Sequence, residues 1–214
     1  MRSWLFRLAV LAMLGTACAS PATAEFPAPG TTLSADHFGV IVGTVAAPVH
    51  LEIFCDPQCP DCARFAASSG ADLSQRLSTG DVAVTYRWMT FLDPHRHNDV
   101  SARVGNALMA VVDPQTTAVA YQEFVNALYR AGGTPSTEDI AAIARHSGLP
   151  TAAVDRIADG WQAVDATSMN AFNQVQLSAA NPQYPSTPTV YDLDTAAVVD
   201  TDDPGWLEHL LQQR

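Results

Sequence analysis

Short apolar and β-branched runs alternate along this chain with longer segments whose apolar residues recur at helical spacing. The run 50–54 is almost continuously apolar, which favours a central strand buried on both faces. Residues 82–89 form a second run, β-branched and aromatic, and residues 40–42 form a short third run that we expect at the edge of a sheet. Between the first two runs the pattern predicts a helix at 59–77, and Gly80 ends it.

Residues 96–180 carry helical spacing and contain no strand-like run. Before them, the polar segment 93–98 predicts a loop, and residues 25–32, rich in Pro, Gly and Thr, predict a disordered start. The helices expected in the block span 99–112, 117–130, 137–146, 151–159 and 161–177.

The pattern changes again after the helical block. A proline-dense loop at 181–188 is followed by two short strand-like runs, 189–193 and 196–199, and by a closing helix at 206–211. This order predicts an α/β domain that is split by an all-helical insertion. The predicted parts are a signal peptide at 1–24, the first part of the α/β domain at 25–95, the insertion at 96–180 and the second part at 181–214.

The net charge of the chain limits the kinds of partner that it can bind by electrostatic attraction. The 214 residues include 11 basic and 22 acidic side chains, which gives a formal net charge of −11. A chain this acidic is poorly suited to bind nucleic acid or an anionic membrane surface by electrostatic attraction. We therefore expect no nucleic acid among its partners.

The first residues have the features of an export signal. Arg2 and Arg7 flank the start of the apolar run 8–14, and residues 22–24, ATA, offer the small residues after which signal peptidase cuts. The apolar run is too short to span a bilayer, which takes about 20 residues. We expect an extracytoplasmic protein, secreted or held in the cell envelope, that starts near Glu25.

Cys18 allows a second interpretation of the same segment. Residues 14–18, LGTAC, are close to a bacterial lipobox, in which a lipidated Cys follows a small residue. Gly15 stands where that motif usually has Leu. Cleavage and a lipid anchor at Cys18 both place the protein outside the cytoplasm.

The main candidate for chemistry is Cys59-Pro60-Asp61-Cys62, where the central strand turns into a helix. Residues three apart share one side of a helix, so the sulfurs of Cys59 and Cys62 can form a disulfide. A helix N-terminus favours a thiolate, so we expect the pKa of Cys59 to be lowered. Pro60 fits the first helical position because its missing N–H costs nothing there. In an exported protein such a pair is more often redox-active than passive.

Four segments of the chain carry a resemblance to a known family. They are Ala47-Pro48-Val49, Asp56-x-x-Cys59-Pro60-x-Cys62, His97-Asn98-x-x-Ser101-Ala102 and Thr187-Pro188-Thr189-Val190. With a helical block before the last segment, the chain resembles the DsbA-like thiol–disulfide oxidoreductases of the thioredoxin superfamily. The resemblance is to the form common in Gram-positive and actinobacterial envelopes.

The resemblance implies a fold and a set of catalytic residues. The fold would be a thioredoxin fold interrupted by an all-helical insertion domain. Cys59 would be the exposed, attacking sulfur and Cys62 its buried partner. Pro188 would be cis and would lie across from their disulfide, since a cis X–Pro bond marks a deliberate backbone turn.

The resemblance also implies how substrates bind and what they are. The backbone of Thr187 would pair with the substrate peptide, with Pro60 and Asp61 beside it. Substrates would be exported proteins with free cysteines, and a membrane redox partner would reoxidise the enzyme. The disulfide itself carries the electrons, so we expect no other cofactor and no metal. The implied direction is oxidation, which forms disulfides in the substrate.

Two positions depart from the family pattern. Asp61 stands where the family often has His, and a carboxylate beside the sulfur disfavours the thiolate, which predicts a weaker oxidant. Ile53 stands where many thioredoxin-fold proteins carry a buried acid. The adjacent Glu52 is expected to face the other side of the strand, so that water or another group would exchange protons with Cys62.

Several alternatives remain open at this point. Cys55 is a small buried residue, or it forms a copper(I) site with Cys59 as in Sco-type chaperones, or it competes for Cys59 in another disulfide. A copper site would need a distant His, for which His146 and His209 are candidates. The CxxC pair could also be an inert structural disulfide, or could work in the direction of reduction or isomerisation. The loop histidines, His95 and His97, are expected to be solvated rather than a metal pair.

Overall fold

The structure is a computed structural model and describes residues 29–214. The predicted signal peptide at 1–24 and the alternative lipid anchor at Cys18 lie outside the described residues. Among residues 29–214, no helix is both long enough and apolar enough to cross a membrane.

The strands of the described chain form one sheet. They are β1 (Gly30–Leu33), β2 (Val40–Gly43), β3 (Val49–Cys55), β4 (Val82–Trp88), β5 (Thr189–Asp192) and β6 (Ala197–Val198). Their order across the sheet is β1-β2-β4-β3-β5-β6. β3 and β4 run parallel, and the other neighbouring pairs are antiparallel. The strands predicted at 50–54 and 82–89 are confirmed, and they lie side by side at the centre.

β3 is central because it is buried on both faces. Leu51 and Ile53 on one face and Phe54 on the other are all 0% exposed. Leu51 lies beside Val84 of β4, and Ile53 lies beside Val190 of β5. Pairing on both sides fixes the position of Cys55, the last residue of β3, where the turn to the first helix begins.

Two predictions for the start of the chain are wrong. Residues 30–33 form a strand instead of a disordered segment, because contacts from far along the chain hold them. Ala118 N donates to Pro29 O at 2.8 Å, and Thr31 Oγ1 donates to Asp113 O at 3.3 Å. Since β1 takes the edge of the sheet, β2 lies between β1 and β4 and is not an edge strand.

The helices of residues 29–214 are α1 (Pro60–Thr79), α2 (Leu92–Arg96), α3 (Val100–Ala110), α4 (Ala118–Ala131), α5 (Thr137–His146), α6 (Thr151–Ala158), α7 (Ala166–Ala180) and α8 (Trp206–Leu211). Helices α2 to α7 lie between β4 and β5 in the chain. The prediction of an α/β fold interrupted by a block of helices is therefore confirmed.

Two helical segments differ from the prediction. The segment 93–98, expected to be a loop, lies largely in α2, which ends where His97 takes a left-handed conformation with φ 53°. The helix expected at 161–177 begins only at α7. α7 begins at Ala166 because Asp165 caps its N-terminus: the Asp165 side chain accepts a hydrogen bond from Ser168 N at 2.7 Å.

Helix α1 packs on the sheet and against α4 of the insertion. Its apolar residues Phe65, Leu73 and Leu77 are all buried. Gly70 allows the close approach of α4: Asn126 Nδ2 donates to Gly70 O at 3.2 Å, and a Cβ on Gly70 would lie only 2.8 Å from Asn126 Cγ. The α/β part and the insertion are thus in direct contact along α1.

Candidate active site

The candidate site begins in the turn that connects β3 to α1. Cys59 N donates to Asp56 O at 2.9 Å, and Gln58 N donates to the Asp56 side chain at 2.9 Å, so the chain reverses within four residues. Cys59 takes an extended conformation at the N-cap, and Pro60 begins the helix. The turn places Cys59 at the helix N-terminus, as the sequence predicts.

A distant loop meets Cys59. The thiol of Cys59 donates to Thr187 O at 3.3 Å, across 128 residues of sequence. The Thr187–Pro188 peptide bond is cis. The structure thus brings Cys59 next to the Thr187–Pro188 loop.

Cys59 is more enclosed than the resemblance implies. Its exposed fraction is 7%, against 0% for Cys62. The expected order is kept, with Cys59 the more accessible of the two, but Cys59 is buried rather than exposed. Its contact with the Thr187 carbonyl accounts for part of this cover, so a substrate must reach the sulfur beside that loop.

The two cysteines of the candidate site are free thiols in this structure, and the pKa of each is raised. The hydrogen bond with Cys62, and then burial, raise the pKa of Cys59 well above its ordinary value, although the contact with Thr187 lowers it by less. Burial raises the pKa of Cys62 as well. The expectation of a lowered pKa at Cys59 is therefore wrong for the dithiol form, because the neighbouring thiol and burial outweigh the helix N-terminus.

The two residues between the cysteines face solvent. Pro60 and Asp61 are both exposed. The carboxylate of Asp61 forms an ion pair with Arg64, one helical turn further along. This pair offsets part of the negative charge that Asp61 brings next to Cys59.

Behind the turn lies a buried carboxylate whose role the sequence analysis did not assign. Asp56 is 0% exposed and accepts hydrogen bonds from Ser101 Oγ at 2.5 Å and from Leu92 N at 3.1 Å. Burial raises the pKa of Asp56, although the bonds from Ser101, Gln58 and Leu92 lower it. The side chain ties the turn to α2 and α3. The only signal in the sequence was its place in the Asp56-x-x-Cys59 motif.

A second set of polar contacts extends this network to Gln58. Gln58 Nε2 donates to Asp93 Oδ1 at 2.7 Å and to Asn98 Oδ1 at 3.0 Å. Asp93 also accepts from the backbone N–H groups of Ser101 and Ala102, at 2.8 and 2.9 Å. The His97-Asn98-x-x-Ser101-Ala102 segment therefore holds the turn that carries Cys59.

Many thioredoxin-fold proteins carry a buried acid at the position that Ile53 occupies in this chain. Ile53 is 0% exposed. Glu52 instead accepts from Arg87 Nε at 2.6 Å, and Arg87 also donates to Asp36 at 2.8 Å. The carboxylate of Glu52 is thus engaged in an ion cluster with β4 and the segment before β2.

Cys55 lies next to Cys62. It is 2% exposed, and its thiol is in contact with the thiol of Cys62 and with the Tyr129 hydroxyl. Tyr129 Oη donates to Asp56 O at 3.2 Å. The third sulfur therefore belongs to the core of the site.

The two histidines that the sequence suggests as copper ligands have other partners in the structure. Within residues 29–214, no three His, Cys, Asp or Glu side chains are grouped so that they could hold a metal ion. The candidate ligands are engaged elsewhere: His146 Nδ1 contacts Ala142 O at 2.7 Å, and His209 Nδ1 contacts Asp203 at 2.8 Å.

Comparison of the sequence with known proteins gives one family and a set of curated relatives. Residues 36–202 match a family model described as thioredoxin. The serine/threonine-protein kinase PknE of Mycobacterium tuberculosis is 28% identical over 181 residues, which cover 81% of this chain and 31% of the kinase. The chain thus spans less than a third of the length of the curated relatives it matches.

Comparison of the structure with solved structures gives similar folds. The MdbA thiol-disulfide oxidoreductase of Corynebacterium matruchotii matches with a TM-score of 0.70 and 22% identity, over 86% of this chain and 92% of that one. MdbA of Corynebacterium diphtheriae matches with a TM-score of 0.67 and 21% identity, over 87% and 96% of the two chains. Oxidised DsbA of Mycobacterium tuberculosis matches with a TM-score of 0.60 and 20% identity, over 86% and 91%.

Proposed function

The chain belongs to the thioredoxin family, and we propose that it is an exported thiol–disulfide oxidoreductase that exchanges a Cys59–Cys62 disulfide with the thiols of substrate proteins. Solved proteins that share its fold carry this activity in their descriptions. The observation that carries the proposal is the contact of the Cys59 thiol with Thr187 O at 3.3 Å, with Cys62 buried on the other side.

The proposed catalytic step is oxidation of a substrate. A substrate thiolate attacks the sulfur of Cys59, the bond to Cys62 breaks, and Cys62 leaves as a thiolate that takes up a proton. A second substrate thiolate attacks the substrate sulfur of this mixed disulfide. The product disulfide forms, and Cys59 leaves as a thiolate that is protonated in turn.

The loop opposite the cysteines is proposed to bind the substrate. The backbone of Thr187 would pair with the substrate peptide, in a position set by Pro188, while Pro60 and Asp61 would contact the peptide from the helix side. Thr187 O already accepts a hydrogen bond from Cys59, so a peptide paired there lies within reach of the sulfur. Exposure of Pro60 and Asp61 supports their part in this surface.

The proposed substrates are exported proteins with free cysteines, and a membrane partner would reoxidise the enzyme. The redox-active disulfide would serve as the only electron carrier. The export signal at residues 1–24 supports this setting.

A second candidate is the direction of reduction or isomerisation, and the pKa of Cys59 favours it. Strong oxidants of this kind keep their reduced form stable as a thiolate, and the raised pKa of Cys59 removes that stabilisation. We therefore expect a milder oxidant than a pair with a lowered pKa would be.

The test is the reaction of the oxidised protein with a peptide that carries two cysteines. We expect one peptide disulfide for each Cys59–Cys62 pair reduced, and no reaction in Cys59→Ser. In Cys62→Ser, with Cys59 first converted to a mixed disulfide with glutathione, the thiolate of a peptide with one cysteine should attack the Cys59 sulfur, release glutathione as a thiolate and remain as an adduct on Cys59. Equilibration with glutathione then measures the direction. If the oxidised wild-type protein neither oxidises nor exchanges with the peptide, the proposed function is wrong and the disulfide is inert.

A further inference from the structure

The proposed reaction uses two cysteines, yet the site contains three. Cys55 is 2% exposed and, like Cys59 and Cys62, is a free thiol in this structure. Its thiol contacts the sulfur of Cys62, the residue that must break and form a bond in every cycle. Core packing alone does not explain why a third thiol contacts this reacting sulfur.

The backbone explains why Cys62 lies between the other two sulfurs. The turn from Asp56 to Cys59 folds the first turn of α1 back over the end of β3, where Cys55 is held by the bond from Met89 N to its carbonyl at 2.8 Å. Cys62, one helical turn after Cys59, faces the sheet and is 0% exposed. Its thiol is in contact with the thiols of both Cys59 and Cys55.

We propose that Cys55 is an alternative disulfide partner of Cys62, so that the oxidised protein exists as two isomers, one with a Cys59–Cys62 bond and one with a Cys55–Cys62 bond. This inference rests on the proposed function, since it requires that the Cys59–Cys62 disulfide forms. It differs from a competition for Cys59, because the structure places Cys55 against Cys62.

The conversion is a thiol–disulfide exchange within one molecule. Cys55 loses its proton and attacks the Cys62 sulfur, the Cys59–Cys62 bond breaks, and the Cys55–Cys62 bond forms. Cys59 leaves as a thiolate and takes up one proton. The number of disulfides is unchanged, so the step needs no outside oxidant or reductant.

The two isomers differ in what a substrate can reach. In the Cys59–Cys62 isomer, the sulfur beside Thr187 is part of the disulfide and can be attacked. In the Cys55–Cys62 isomer, both bonded sulfurs belong to residues at most 2% exposed, and the accessible group is the Cys59 thiol. The second isomer cannot donate its disulfide, whereas its Cys59 can attack a disulfide in a substrate. The exchange would therefore switch the site between oxidising and isomerising chemistry.

The first experiment uses Cys59→Ser, which leaves Cys55 and Cys62 as the cysteines of the chain produced without residues 1–24. After treatment with diamide, acid quenching, unfolding and alkylation with N-ethylmaleimide, we expect a monomer that takes up no label and has lost two hydrogens. Cys55→Ser/Cys59→Ser is the matched control and should form no internal disulfide. Two labelled thiols in folded Cys59→Ser, under conditions that fully oxidise the wild type, would overturn the inference.

The second experiment locates the single free thiol of the oxidised wild-type protein. Acid quenching stops the exchange, and alkylation after unfolding followed by fragment mass spectrometry shows which cysteine carries the label. Label on Cys55 reports the first isomer and label on Cys59 reports the second. We expect a share on the order of 1–10% on Cys59. Label confined to Cys55 would overturn the inference.

The two proposals fail in different ways. In one case the wild type forms a Cys59–Cys62 disulfide and oxidises the peptide, but Cys59 is never labelled and Cys59→Ser forms no disulfide. Then only the proposed exchange between the Cys59–Cys62 and Cys55–Cys62 isomers is wrong. If the wild type forms no disulfide or reacts with no peptide, the proposed function is wrong. Cys55→Ala, checked for folding by circular dichroism, adds a control in which the label on Cys59 must disappear.

Discussion

The charge beside the attacking sulfur is set by a pair of residues rather than by Asp61 alone. The Asp61 carboxylate is 55% exposed and pairs with Arg64, which is 74% exposed. Exposed ion pairs of this kind are weak and are screened by salt. Asp61 therefore acts on Cys59 with only part of its charge, and Arg64 becomes a residue that tunes the redox equilibrium.

Replacing Asp61 and replacing Arg64 should shift the redox equilibrium with glutathione in opposite directions. We expect Asp61→Asn to favour the reduced form about two- to fivefold and Arg64→Gln to favour the oxidised form by a similar factor. The reason is that a negative charge near the sulfur disfavours the thiolate. Both shifts should shrink in 1 M NaCl, and equal shifts in the same direction would contradict the argument.

The raised pKa values of Cys59 and Cys62 should appear as a pH dependence of stability in the reduced protein. The unfolded chain loses its thiol protons above pH ~8.5, while the folded thiols keep theirs. The unfolded state then binds fewer protons, so the free energy of unfolding should fall as pH rises above that value.

Urea unfolding of the reduced protein between pH 7 and 10 measures this slope. The matched control is Cys59→Ala/Cys62→Ala, in which the slope should be smaller because two of the titrating groups are gone. A reduced wild type whose stability is constant or rises above pH 8.5 would show that the folded thiols ionise as easily as free ones.

The sequence is enough to select the proposed reacting residues but not to predict the pKa values of their side chains. Cys59, Cys62, Thr187 and Pro188 stand in motifs whose spacing can be recognised along the chain. The direction of the pKa shift at Cys59 was predicted wrongly, because it depends on contacts made by folding. The same holds for Asp56, whose buried bonds come from α2 and α3.

At the scale of the helices, the contact of α1 with α4 joins the site to the insertion. Asn126 reaches across to Gly70 O, and Gln122 Nε2 donates to Asn126 Oδ1 at 3.0 Å, so the amide of Asn126 is held on both sides. The absence of a side chain at Gly70 is what leaves room for it. This contact anchors α4, which carries the Tyr129 hydroxyl next to Cys55.

Gly70→Ala should destabilise the protein, although alanine is ordinarily the better helix former. The new Cβ would lie 2.8 Å from Asn126 Cγ, and overpacking of this kind costs about 1–3 kcal/mol. Gly105→Ala in α3 is the matched control. Its Cβ would lie 3.3 Å from the flexible end of Met169, so we expect little loss or a small gain.

Denaturant unfolding of the two variants measures whether the overpacking against Asn126 outweighs the better helix propensity of alanine. A Gly70→Ala protein as stable as the wild type would mean that Asn126 can move at no cost. In that case the approach of α4 to α1 would not depend on the glycine.

The elements that the sequence analysis missed are those held by distant contacts. β1 has no strong strand pattern and is fixed by residues 113 and 118, which both lie in the insertion. The short helix α2 forms around the bonds that Asp93 accepts from the start of α3. Long periodic segments such as α1 and α4, by contrast, were predicted to within a few residues.

At the scale of the whole molecule, a buried ion cluster ties the segment before β2 to the centre of the sheet. Arg87 of β4 donates to Glu52 of β3 and to Asp36. Burial raises the pKa of Asp36, but the bonds from Arg87, Phe38 N and Ser34 outweigh it and lower the pKa to about 2. The side chain of Arg87 is 8% exposed, so the cluster is largely shielded from salt.

Asp36 should therefore support the fold at neutral pH and cease to do so in acid. Its contribution is fully present above the unfolded pKa near 3.9 and is lost as pH falls toward 2, a change of about 2 kcal/mol. Asp36→Asn should be less stable than the wild type at pH 7, and the difference should shrink between pH 4 and 2. Urea unfolding across this range checks the prediction, and a difference that stays constant would contradict it.

The hydrogen bond from Cys59 to the Thr187 carbonyl has a consequence for turnover. A thiol can donate this bond, whereas a sulfur engaged in a disulfide has no hydrogen to give. If Thr187 docks the substrate backbone, the reduced enzyme competes for its own docking acceptor, and the oxidised enzyme leaves it open. Each transfer of the disulfide would then leave a Cys59 thiol that competes with the product for Thr187 O. This competition would weaken product binding and favour its release.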